Sequence, residues 1–129
     1  KKFLDNLNSR GVKVNLDPAN LVMVTGDDPV KAVYNLKDYI VHTHAKDGIM
    51  LKKGNPEVIY GIIEEEIQNE VYFKEVPLGE GSVDFPQYLK ALKSIGYNGF
   101  LTIEREVGAN PEEDIKKAIQ FLKKVMAEI

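Results

Sequence analysis

A chain of 129 residues with 43% hydrophobic side chains has the size and apolar content of a small globular domain, which argues against intrinsic disorder. Seventeen basic against twenty acidic side chains leave a net charge of −3, which gives nucleic acid or an anionic membrane no electrostatic footprint. The absence of cysteine excludes disulfides, thiolate metal sites and a cysteine nucleophile, and no apolar run approaches the roughly 18 residues that span a bilayer, so a cytoplasmic α/β protein is expected.

The chain opens without Met, inside a helical pattern. Phe3, Leu4 and Leu7 are helically spaced, and Gly11 suits a C-terminal cap. Residues 12–17 then alternate, with Val12, Val14 and Leu16 on one face and Lys13, Asn15 and Asp17 on the other. This predicts a strand that Pro18 ends by removing a backbone donor. Asp28-Pro29 reads as an N-cap followed by proline at the first helical position, leading into Val30, Val33, Tyr34 and Leu36. A second strand over 39–44 places Ile40, His42 and His44 on one face. Residues 47–80 form a long excursion over the active-site end: a turn at Gly54-Asn55-Pro56, a helix over 56–69 and a strand over 71–76. Within it Glu64-Glu65-Glu66 reads as a solvated face, and the apolar 58–63 stretch could be a subunit contact. Asp84-Phe85-Pro86 opens a helix carrying Tyr88, Leu89, Leu92 and Ile95, closed by Gly96. Residues 100–104 form a third strand, with Phe100, Thr102 and Glu104 on one face. A final helix capped by Asn110 runs from Pro111 to near Ile129 and should bury Ile115, Ala118, Ile119, Leu122 and Val125.

Strands alternating with helices imply a parallel sheet with right-handed crossovers. One face of that sheet would carry Lys13, Asn15, Asp17, His42, His44, Thr102 and Glu104, and so polar a face cannot be plain core. In parallel α/β architectures reactive groups collect at the C-terminal strand ends. The three strands here end in Asp17, His44 and Glu104, all on the polar parity. A lone strand-end Asp is more often a helix cap, a role Asp17-Pro18 would suit. Three such ends in a row form a mixed nitrogen and oxygen set that fits Mn²⁺, Zn²⁺, Co²⁺ or Mg²⁺.

Four segments, in order, carry a family resemblance: 14–21 (VNLDPANL), 41–48 (VHTHAKDG), 77–85 (PLGEGSVDF) and 96–106 (GYNGFLTIERE). Together the chain resembles the C-terminal part of the xylose-isomerase-like TIM barrels, about three parallel strands with covering helices. That superfamily contains sugar and sugar-phosphate isomerases and epimerases, inosose dehydratases and the endonuclease IV branch. The resemblance implies that Asp17, His44 and Glu104 are metal ligands for a divalent ion. It implies substrate contacts at Asn20, where the family's Asp-x-x-His pairing has a His, and at His42, Lys46 and Asp47. Glu106 and Arg105 lie beyond the strand end, the first as a loop carboxylate and the second paired with Glu106 or a neighbouring helix. Glu80 reads as part of a tight turn.

The implied activity is divalent-metal-dependent isomerisation or epimerisation of a sugar or sugar phosphate through an enediolate-type proton transfer. In it Glu104 could combine ligation with catalysis, while an upstream Glu outside these residues, or its neighbour, is the favoured base. An endonuclease IV-like phosphodiesterase acting on DNA is the first rival. Its trinuclear zinc site needs several more histidines than His42 and His44, and the acidic balance argues against it. A non-catalytic half barrel is the second. The family's usual fourth ligand, a Glu from an earlier strand, has no counterpart in these residues. A complete barrel needs about 250 residues, so 1–129 is expected to be the C-terminal portion of one TIM-barrel domain whose N-terminal half is absent. It should hold most of a metal site without being a working enzyme, and its sheet edges should drive homo-oligomerisation or pairing with the missing half.

Overall fold

The computed structural model of the chain describes residues 1–64 and 70–129. Helix α1 (Lys2–Leu7) stops at Asn8, whose left-handed backbone (φ 46°) returns its N–H to the Leu4 carbonyl. Asn8, and not the expected Gly11, is therefore the cap. Asparagine tolerates this conformation because its short polar side chain can bond locally. Strand β1 (Val14–Leu16) begins two residues later than the alternation suggests and leaves Val12 exposed. A short helix α2 (Pro18–Asn20) continues directly into a π-helical turn, Leu21–Thr25, which Gly26 closes at φ 73°. Helix α3 (Pro29–Leu36) follows, with the Asp28 side chain accepting from the backbone of Val30 and Lys31.

Strand β2 (Ile40–Ala45) lies at the centre of a three-stranded parallel sheet, between β1 and β5 (Leu101–Ile103). Its register against β1 pairs Val14 with Ile40 and then Asn15 with His42, skipping Val41. This bulge breaks the expected alternation. Ile40 packs with Val14 against the core, while His42 and His44 keep the open face and the extra residue, Val41, is 59% exposed.

Helices α3, α5 (Phe85–Ser94) and α6 (Pro111–Glu128) cover the other face. Tyr88 and Phe85 are fully buried there, and Phe85 packs edge-on to both Tyr88 and Phe121. Thr43, also fully buried, donates to the Leu16 carbonyl at 2.7 Å and meets the Tyr88 hydroxyl, so the layer carries no unpaired hydroxyl. On α6 Ala118, Leu122 and Val125 are buried as expected. Ile115 and Ile119 are not, at 37% and 41% exposure, because they lie on the flank of the helix turned away from α5 and the sheet.

The excursion differs most from expectation. Its helix α4 is a single turn, Pro56–Ile59, ended by Tyr60 and by Gly61 at φ 67°, and the rest of the expected 56–69 helix reaches residues outside those described. Glu65 and Glu66 of the expected solvated face also lie outside them; Glu64 is exposed. Strand β3 (Asp47–Met50), which the sequence pattern does not announce, pairs antiparallel with β4 (Phe73–Val76), Asp47 opposite Val76 and Met50 opposite Phe73. The sheet, its helices and its crossovers form part of a TIM barrel. Among the described residues no helix is long and apolar enough to cross a membrane.

Candidate metal centre

The open face of the sheet brings Asp17, His44 and Glu104 together from the ends of β1, β2 and β5. His44 Nδ1 lies 3.2 Å from Asp17 Oδ2 and 3.2 Å from Glu104 Oε2. One ligand atom from each of the three lies within 4.8 Å of the others, and all three residues are half-buried. Asp17 divides its carboxylate between two tasks. Oδ1 accepts from the Asn20 N–H and caps α2, while Oδ2 faces His44, so capping leaves one carboxylate oxygen turned toward the cluster. His44 Nε2 lies 3.1 Å from the Asn15 amide. The contacting Asn15 atom is Nδ2, which donates to Nε2 and orients the ring. An imidazole that binds an ion through Nδ1 carries its proton on Nε2, and a half-turn of the Asn15 amide would present its oxygen to that proton.

The donor set fits a divalent ion in charge as well as in chemistry. Glu75, Glu104, Glu106 and Asp114 surround Lys46 and Arg105, and Asp17 stands beside His44, so five carboxylates are gathered with two fixed cations. Imidazole and carboxylate at this spacing suit Mn²⁺, Zn²⁺, Co²⁺ or Mg²⁺.

The remaining expected site residues fall into two groups. Asn20 and His42 belong to the site's surroundings. Asn20 follows Asp17 at the start of the helical turn, and His42 sits one layer below His44, with Nε2 at 2.8 Å from Thr102 Oγ1 and its ring edge-on to His44. Lys46 and Asp47 are buried and held by partners within the chain. Lys46 is 4% exposed, and its ammonium donates to Glu104 at 3.1 Å and to Glu106 and stands 3.4 Å from Glu75. Burial works against its charge, and the carboxylates outweigh that and hold its pKa well above the usual lysine range. The Lys46 ammonium in turn lowers the Glu106 carboxyl.

Asp47 is 1% exposed. Its Oδ1 accepts from the Gly48 and Val83 N–H groups at 2.9 and 3.1 Å, and its Oδ2 from Gly79 and Gly81, both at 3.0 Å. Four donors saturate a carboxylate, so Asp47 is the latch that holds the 77–85 loop. Burial raises its carboxyl, against the pull of those donors. Gly81 is required here, since a Cβ would stand 2.1 Å from Asp47 Oδ1.

Sequence reasoning did not find Glu75. It is 8% exposed on β4, receives Arg105 Nη1 at 2.8 Å and the Glu106 N–H at 3.0 Å, and is reached only through tertiary pairing. Arg105 also donates to Asp114 on α6 at 2.8 Å; its partners are thus Glu75 and the neighbouring helix, and Glu106 pairs with Lys46 instead. Tyr60, expected in a subunit contact, follows α4, whose Ile59 packs on Met23, Val24 and Ala19. Burial raises its phenol, and the charges of Asp17 and Lys46 both act on it, which sets the ring close to the site.

Comparison with known proteins agrees with this geometry. Residues 1–125 match the family described as xylose isomerase-like TIM barrel. An inosose dehydratase of Lacticaseibacillus casei is 29% identical over 118 residues, covering 89% of this chain and 38% of that protein. The L-ribulose-5-phosphate 3-epimerase UlaE of Salmonella paratyphi B is 44% identical over 57 residues, or 43% of this chain and 20% of that protein. A crystal structure of a xylose isomerase domain protein from Planctomyces limnophilus superposes with a TM-score of 0.77 at 28% identity, covering 99% of this chain and 42% of that one. The chain thus spans about two fifths or less of the length of these relatives.

Proposed function

Because the chain belongs to the xylose isomerase-like TIM barrel family, we propose that it supplies the metal-binding end of a sugar or sugar-phosphate isomerase or epimerase that works by enediolate-type proton transfer. The convergence of Asp17, His44 and Glu104 at the C-terminal ends of three adjacent parallel strands carries this reading. The relatives' dehydratase and epimerase activities are of the same carbohydrate class.

In this reading Asp17 Oδ2, His44 Nδ1 and Glu104 hold a divalent ion. When bound, the ion polarises the substrate's carbonyl and neighbouring hydroxyl oxygens as a Lewis acid. The chain's own residues do the rest. Glu104 Oε2 is engaged by His44 and Lys46, and among the described residues Oε1 has no hydrogen-bond partner, so Oε1 is the atom that moves a proton at the carbon beside the carbonyl. Asn20 and His42 flank the site at positions that reach substrate hydroxyls. The mixed triad suits proton transfer, whereas phosphodiester cleavage by a trinuclear centre would require further imidazoles, and the chain has only two histidines.

The test is solvent deuterium exchange, followed by NMR, on a panel of ketoses and ketose phosphates incubated with the intact protein and Mn²⁺. Incorporation at the carbon next to the carbonyl, lost with EDTA and reduced at least about 100-fold by Glu104→Gln, is expected for removal of a proton-transfer group. Exchange that survives both treatments refutes the assignment.

A further inference from the structure

The ammonium of Lys46 is built into the site in the manner of a metal ion. It is 4% exposed and tethered between β2 and β3, and it faces carboxylates from three different segments: Glu75 of β4, Glu104 at the end of β5, and Glu106 beyond it. One of these oxygens is shared. Glu104 Oε2 stands 3.1 Å from Lys46 Nζ and 3.2 Å from His44 Nδ1, so a single carboxylate oxygen borders both the Asp17–His44–Glu104 triad and the Lys46 cage. Two adjacent cation positions bridged by a carboxylate are the arrangement of two-metal centres, whose ions sit about 3.5–4 Å apart.

We propose that Lys46 occupies the second cation position of this site, and so fixes the metal centre at one ion and holds Glu104 in its ligating pose. The proposal rests on the reading of Asp17, His44 and Glu104 as a metal centre. The cage is already partly neutralised from behind, since Arg105 donates to Glu75 at 2.8 Å. The remaining negative charge is answered by one ammonium, which is present whatever the metal supply. It binds as a point charge, donating to Glu104 and Glu106 and standing 3.4 Å from Glu75. Removing that charge leaves three converging carboxylates without a cation between them. Their repulsion, strongest at buried Glu75 and weaker at the more exposed Glu104 and Glu106, is relieved by uptake of a divalent ion.

The experiment counts Mn²⁺ bound to the intact protein, by isothermal titration and by elemental analysis after desalting, for wild type, Lys46→Arg and Lys46→Met. One ion is expected for wild type and for Lys46→Arg, which keeps the charge, and two for Lys46→Met. One ion in Lys46→Met with unchanged affinity overturns the proposal and leaves the metal centre standing. No ion in wild type overturns the metal centre itself and the proposal with it. Two ions in wild type overturn the proposal alone. Should Lys46→Met be unfolded in EDTA, its recovery of native circular dichroism with two bound Mn²⁺ supports the proposal. Failure to fold in excess Mn²⁺ counts against it, because the cage would then require the lysine itself and not a cation.

Discussion

Asp47 offers the sharpest test of how the site is held in place. Replacing it with alanine removes the acceptor of four backbone N–H groups. The bonds to Gly48 and Val83 are fully buried, while those to Gly79 and Gly81 are reachable by water. Each orphaned buried donor costs about 1–3 kcal/mol, and donors that water can reach cost little, so Asp47→Ala should destabilise by about 2–6 kcal/mol. Asparagine can put its single oxygen where Oδ1 is and keep the buried pair. It loses only the charge assistance there, and should cost about 1–3 kcal/mol. For a chain of this size each kcal/mol lowers Tm by roughly 3–6 °C. Gly81→Ala attacks the same contact from the other side, with its Cβ 2.1 Å from Asp47 Oδ1, and should be less costly in an Asp47→Ala background than alone. Differential scanning calorimetry gives the ordering, and amide hydrogen exchange at Gly79, Gly81 and Val83 gives the location. An Asp47→Ala protein within about 0.5 kcal/mol of wild type, the usual range of neutral surface changes, would refute the latch. So would an asparagine variant less stable than the alanine one.

Asn15→Leu should weaken Mn²⁺ binding about 10–100-fold by removing the side chain that fixes the His44 ring at Nε2, while Asn15→Asp, whose oxygens accept an Nε2 proton, retains or improves it; isothermal titration reads both. Arg105→Met leaves Glu75 buried with its nearest guanidinium gone and should cost about 3–5 kcal/mol in chemical denaturation, more than any single exposed ion pair on α6 would. Tyr88→Phe removes a hydroxyl whose partner Thr43 keeps its bond to the Leu16 carbonyl, so the loss should be no more than about 1.5 kcal/mol by the same measurement.

The contrast between what was readable in the chain and what was not has physical causes. The three sheet strands and their helices announce themselves through alternation, Asp-Pro and Asn-Pro helix starts, and apolar periodicity, all of them local signals. The convergence of Asp17, His44 and Glu104 was legible because strand-end position and side-chain parity are also local, and parallel strands in register turn them into spatial proximity. Strand β3 gave no such signal. Asp47 and Gly48 disfavour strand, and only pairing with β4 makes Asp47–Met50 one. The partners of Lys46 and Asp47 were hidden for the same reason. Glu75, Glu106 and the Gly79–Val83 backbone come from far downstream and become neighbours only through tertiary pairing. The Val41 bulge likewise lies in strand pairing and not in composition.

The sharing of one divalent ion by Asp17, His44 and Glu104 is read by an anomalous difference map from crystals of the intact protein grown with Mn²⁺, recorded at the manganese absorption edge. A single peak about 2.0–2.2 Å from Asp17 Oδ2, His44 Nδ1 and a Glu104 oxygen, with Lys46 Nζ still among Glu75, Glu104 and Glu106, is the result expected. A map with no peak at the three strand ends, or with Mn²⁺ held by other carboxylates while His44 remains paired only with Asp17 and Glu104, would contradict it.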